Sequence, residues 1–191
     1  STHPGEELIV LQAFGLIVRD FPCARLLIAP RHPERSGGLM RLVLDLGLRP
    51  VKISDLIKKK IQPSSGDVFI VDMVGILVDC YAVANVVFVG GSLVPKGGHN
   101  ILEPALVSKP IIFGPHMDNF MDIANLFLEA KAAITVDDGA QLAAETVLFL
   151  TDEARCREFG LRAQELIRKH QGATSRNLAL LAPLVNLPRT N

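Results

Sequence analysis

The chain has 191 residues, with 20 Lys and Arg balancing 20 Asp and Glu to a formal net charge of zero, so its charge argues for neither nucleic acid nor an anionic membrane as a partner. Hydrophobic residues make up 49%, which suits a parallel sheet buried on both faces in one sizeable α/β domain. Nine Phe, one Tyr and no Trp offer no stacking platform for bases.

In chain order, short apolar runs alternate with helical patterns. Residues 4–20 predict a helix, with Pro4 near its first position and Glu6 and Glu7 in its first turn. A strand follows at 25–29, a helix at 38–46 closed by Gly47, and a short strand at 51–54. Residues 58–66, "KKKIQPSSG", read as an exposed, flexible segment. A strand at 67–71 leads to a helix at 75–84, and a strand at 86–89 to a short helix at 100–107. A strand at 110–113, a helix at 117–130 and a strand at 132–136 come next. Helices at 139–150, 151–170 and 172–187 close the chain. No internal repeat or domain boundary interrupts this rhythm, which predicts a doubly wound parallel sheet in a single domain.

Cys23, Cys80 and Cys156 are widely spaced, form no CxxC pair and read as buried free thiols of a reducing compartment. No stretch reaches the ~18 to 20 consecutive apolar residues of a membrane span, and the opening residues do not read as a signal peptide.

In a doubly wound sheet, ligands sit at the C-terminal ends of the strands. The unusual residues of this sequence fall there. "PRHPERSGG" follows the first predicted strand, "DMVG" the third, "GGSLVPKGGHN" the fourth and "GPHMDN" the fifth. His3, His32, His99 and His116 all lie in such loops or in the opening segment; His170, late on a helix, is the exception.

Two explanations compete for "GGSLVPKGGHNILE". Gly90 and Gly91 end a strand and let a ligand approach the backbone, and Gly97 and Gly98 allow a sharp turn. A helix starting near Asn100 then points its free N–H groups at a phosphate. The plainer explanation is a set of turns, with Asn100 and Glu103 forming a capping box instead of Glu103 accepting from ribose hydroxyls. Arg31, His32 and Arg35 suit a phosphate or carboxylate, or stay solvated. His116 and Asn119 precede a helix that Asp118 can cap. The histidine spacings match no metal motif, so neither a metal nor a cofactor is expected.

Four ordered blocks of the sequence resemble those of the 3-deoxy-D-manno-octulosonic acid (Kdo) transferases. They are "STHPGEE" from Ser1, "PRHPER" from Pro30, the run Gly90-Gly91-Ser92-Leu93-Val94-Pro95 through Gly97-Gly98-His99-Asn100 to Leu102-Glu103-Pro104-Ala105, and "GPHMDNF" from Gly114. The resemblance reaches to about residue 170. It implies a Rossmann-like half of a GT-B glycosyltransferase: residues 1–191 as the C-terminal domain that binds CMP-Kdo, with the N-terminal half absent. That family transfers Kdo from CMP-Kdo to a lipid A precursor in lipopolysaccharide biosynthesis, inverting the anomeric centre without a metal.

The resemblance further implies that the absent half carries the general base, the acceptor site and the membrane-associating surface, at the cytoplasmic face of the inner membrane. The first strand of the sheet would lie upstream of Ser1. On this chain Arg31, with His32 beside it, would meet the donor's phosphate or carboxylate. The Gly97–Asn100 turn, with Gly90, Gly91, Ser92 and His99, would seat the phosphate, and Glu103 would hold ribose. Ser1, Thr2, His3 and Gly5, with His116 and Asn119, would line the donor side of the cleft, and Gly75 would contact cytosine. One block departs: where the family reads like "DTxGEL", this chain has "DMVGIL", placing Met73 and Ile76 at a hydroxyl and an acidic position. The alternatives are a GT-B enzyme using a UDP-sugar and a non-catalytic nucleotide-binding or interaction module.

Overall fold

The structure, a computed structural model, describes residues 1–185, and side chains through residue 169. Helix α1, Glu6–Asp20, opens at Gly5, whose φ of 88° lies in the left-handed region that glycine adopts without strain. Then come β1 Leu26–Ile28, α2 Ser36–Asp45, β2 Arg49–Lys52, α3 Ile53–Lys59, β3 Asp67–Ile70 and α4 Leu77–Val83. The second half holds β4 Val87–Val89, α5 Leu102–Leu106, β5 Ile111–Phe113, α6 Met121–Glu129, β6 Ala133–Thr135, α7 Gly139–Thr151 and α8 Glu153–Val185.

All strand pairs are parallel, as the alternation of apolar runs and helices predicts. Hydrogen bonding divides them into two three-stranded sheets, ordered β1-β3-β2 and β4-β5-β6. The opening residues lie between the ends of β1 and β4. Thr2 bridges Pro30 in parallel fashion: its N–H donates to the Ala29 carbonyl at 2.8 Å, and its carbonyl accepts from the Arg31 N–H at 2.9 Å. The Ser1 carbonyl lies so close to Gly90, just past β4, that a β-carbon there would collide with it.

Helix α1 unites the two sheets. Its apolar face (Val10, Leu11, Ala13, Phe14 and Ile17) packs in one buried cluster with Ile28, Val68 and Ile70 of the first sheet and Ile112 of the second. Leu142 and Phe149 of α7 close that layer. The opposite faces have separate cores: Val51 and Phe69 pack with Ile53 of α3, while Val87, Ile111 and Phe113 pack with Ala105, Phe127 and Ala163. This double-sided covering is why the strands read as continuous apolar runs and not as alternations. Truncating fully buried Phe149 to Ala would cost about 3–5 kcal/mol.

The fold departs from the sequence reading at three places. Residues 53–59 form helix α3, where the sequence suggests the end of a strand and a flexible lysine run. Its N-terminus is capped from a distance: the Asp72 carboxylate accepts from the Ser54 N–H at 3.0 Å and its hydroxyl at 2.6 Å. At the C-terminus, 151–170 and 172–187 are not two helices: α8 runs unbroken through Gly172 to Val185, since a glycine within a helix costs only about 1 kcal/mol. Residues 186 and 187 lie outside the described part. Finally, Cys23 is exposed, and Cys80 and Cys156 are only partly buried.

Candidate functional site

Every loop singled out in the sequence sits at the C-terminal edge of the strands. The Ser1–Gly5 segment occupies the middle, flanked by residues 30–35 after β1 and the long loop after β4. Residues 114–120, after β5, are stitched to that long loop. The His116 N–H donates to the Ser92 carbonyl at 3.0 Å, the Asn119 N–H to Gly97 at 3.0 Å, and the Gly114 N–H to the Ser92 hydroxyl at 2.7 Å. The Asn119 side-chain amide donates to the Lys96 carbonyl at 3.3 Å.

This stitching answers what the paired glycines do. Gly97 and Gly98 have φ of 80° and 72°, and a β-carbon on them would strike Asn119 and Met117 respectively. Gly91, at φ 71°, faces the rings of both His3 and His99, with contacts of 3.3 Å from where its β-carbon would stand. The glycines let separate loops close onto one another and build one wall.

The amides of Gly91, Ser92 and Leu93 in that wall are already taken. Fully buried Glu6 reaches up from the first turn of α1 into the loop. One carboxylate oxygen accepts from the Gly91 N–H at 2.7 Å and the His3 N–H at 3.3 Å. The other accepts from Ser92 at 3.0 Å and Leu93 at 3.1 Å. Successive backbone N–H groups make an anion nest, and here the chain's own carboxylate fills it. Glu7, also buried, holds the Arg35 guanidinium through both oxygens at 2.9 and 2.7 Å, and accepts from the Thr2 hydroxyl at 3.2 Å. In the sequence both glutamates pass as ordinary first-turn residues; the burial of Glu6 beside a glycine loop 85 positions away, and of Glu7 against Arg35, is invisible there.

Above the wall, His3 and His99 stack with ring centroids 5.1 Å apart and interplanar angle 9°. Their Nε2 atoms lie 2.9 Å apart, so one donates to the other. Burial lowers the pKa of His99 to about 4, and the charges of the Ser1 amine, His3 and Arg31 act in the same direction. Burial also lowers that of His3; Glu6 opposes this, while Lys96, the Ser1 amine and Arg35 add to it. The pair is therefore neutral at pH 7.

Arg31 is exposed, and among the described residues its guanidinium has no hydrogen-bonding or ionic partner. His32 turns to Glu34, 3.5 Å away on the surface, and does not join the other histidines. Asn100 accepts from the Leu102 N–H at 3.0 Å and donates to one Glu103 oxygen at 3.2 Å. This resembles the capping alternative, with Glu103 bonded to the Asn100 side chain and not to a backbone N–H. The five-residue α5 thus has part of its N-terminus already occupied. Burial and the Glu103 charge push Tyr81 up to about 12. Gly75 lies in an exposed loop at φ 89°, with Val74 86% and Met73 38% exposed. Among the described residues no group of three or more His, Cys, Asp or Glu is placed to hold a metal ion, and no helix is long and apolar enough to cross a membrane.

The arrangement has solved relatives. It superposes with a TM-score of 0.80 on the crystal structure of the C-terminal CMP-Kdo binding domain of WaaA from Acinetobacter baumannii, at 30% identity over 87% of this chain and 86% of that one. The chain belongs to the Kdo transferase family. The 3-deoxy-D-manno-octulosonic acid transferase of Haemophilus influenzae is 34% identical over 184 residues, 96% of this chain and 42% of that protein. The Rickettsia typhi enzyme of the same name is 30% identical over 187 residues, 97% of this chain and 40% of that protein. The chain thus spans under half the length of these family members. No family model matches the sequence.

Proposed function

We propose that this chain is the donor-binding domain of a Kdo transferase and binds CMP-Kdo at the C-terminal edge of its strands. The observation that carries this is the gathering of exposed Arg31, the His3–His99 pair and Glu103 on one edge, in a chain that superposes closely on a CMP-Kdo binding domain. Arg31 meets the phosphate or carboxylate of the donor. The His3–His99 pair offers an N–H to the same anion, and Lys96 adds positive potential beside it. Glu103 keeps one oxygen for the ribose hydroxyls. Gly75 brings backbone to the cytosine, with apolar Met73 and Val74 around it. His116 and Asn119 form the far side. Gly90 and Gly97 shape the wall, and Gly91, Ser92 and Gly98 act through that shape with their amides already bonded within the protein.

The reaction is a direct displacement. The acceptor hydroxyl loses its proton to a base in a second, N-terminal domain and attacks the anomeric carbon of Kdo. The bond to the CMP phosphate oxygen breaks, and its electrons stay on CMP. The cations of this edge stabilise that charge as it develops. The acceptor is a lipid A precursor, reached by the N-terminal domain at the cytoplasmic face of the inner membrane.

Calorimetric titration with CMP, and with UDP for comparison, tests the reading. Heat with CMP and none with UDP is expected, both for this chain and more strongly for a two-domain protein. UDP binding more tightly than CMP would overturn the donor assignment. Equal turnover by the chain alone and by the two-domain protein would overturn the division of labour.

A further inference from the structure

The sequence offers the Gly90–Leu93 loop as a ligand cradle, yet its amides are taken by a side chain that is 0% exposed. Gly91 is the hinge of this arrangement. Its N–H goes to Glu6, its carbonyl accepts from the Gly98 N–H at 2.9 Å, and its Cα faces both histidine rings. The Glu6 oxygen that holds Gly91 also holds the His3 N–H, so one atom fixes the backbone beneath one histidine and the residue against which both stack. The Gly98 bond continues the same frame to His99, its chain neighbour. Nothing in the reaction requires a carboxylate under the site, and an anion there opposes a phosphate electrostatically. Its bonds are therefore best explained by what they position.

We propose that Glu6 is the positioning residue of the donor site: its carboxylate fills the amide nest of Gly91, Ser92 and Leu93 and so holds His3 and His99 as one stacked, hydrogen-bonded pair. The word donor rests on the function proposed above; the positioning of the histidines does not.

Glu6→Gln replaces one acceptor oxygen with an NH₂ that confronts the amides already pointing at it. Glu6→Asp keeps the charge but shortens the reach, and serves if the glutamine variant does not fold. Val43→Ala, in the fully buried core of α2, supplies a control of reduced stability remote from the loop. NMR titration of His3 and His99 and the Kd for CMP are measured on each folded protein. In the Glu6 variants His99, whose pKa the Glu6 charge does not itself shift, is expected to titrate at higher pH as the pair separates, and CMP binding to weaken at least about tenfold. Val43→Ala is expected to lose melting temperature while keeping both readouts. Unchanged His99 titration in a folded Glu6 variant overturns the proposal, as does an equal change in Val43→Ala. If the wild-type chain does not bind CMP, the donor reading falls, and the His99 titration alone decides whether Glu6 positions the pair.

Discussion

Acidification from about pH 7 to about pH 4.5 should weaken the folded protein through His99, and the size of the effect follows from its surroundings. In the unfolded chain His99 has the ordinary value of 6.5; in the fold burial holds it at about 4. Its folded pKa is lowered, so between these values the unfolded state binds the extra proton and stability rises with pH. The contribution is complete above pH 6.5 and is lost as pH falls toward 4. A difference of about 2.5 in pKa corresponds to about 3 kcal/mol, and solvent screening of a half-buried ring reduces this to about 1.5 kcal/mol. Urea unfolding across this range, on the wild type and on His99→Asn, gives the measurement. The variant lacks the titrating ring, so the gap between the two curves should change by about 1.5 kcal/mol over the window. Parallel curves, or an NMR midpoint for His99 above pH 6, would refute the reasoning.

Two further outcomes follow from the frame. Asp72→Ala should cost about 1–2 kcal/mol at neutral pH, since it removes both bonds that cap α3. Burial raises the Asp72 pKa, but the Ser54 bonds, its own backbone N–H and the Lys52 charge together outweigh it, so the folded value is below 3.8 and the penalty should vanish as pH falls through it; a pH-independent penalty would count against the cap. Among the described residues β1 and β4 each pair with one strand only, which leaves an edge open to a second copy, so the chain should self-associate with rising concentration in sedimentation. A monomer throughout the accessible range would contradict this.

The sequence alone determined the alternation of buried strands and helices, because a strand covered on both faces is apolar along its whole length. It also pointed to the C-terminal edge of the strands as the candidate site, because ligands of parallel α/β sheets sit there and the clustered glycines and histidines fall in those loops. The four ordered blocks placed the chain in its family. Other features were decided only by tertiary structure, and for one reason: each depends on a partner distant in the chain. Helix α3 has no local cap in its sequence; Asp72, eighteen positions from Ser54, supplies it. Gly90 through Ser92 read as an open cradle until Glu6, 85 residues earlier, is seen to fill it. His3 and His99, separated by 96 residues, become one titrating unit only when the loop closes. Composition and periodicity report what a segment buries. They do not report which distant group satisfies its polar atoms, and in this protein that satisfaction shapes the site.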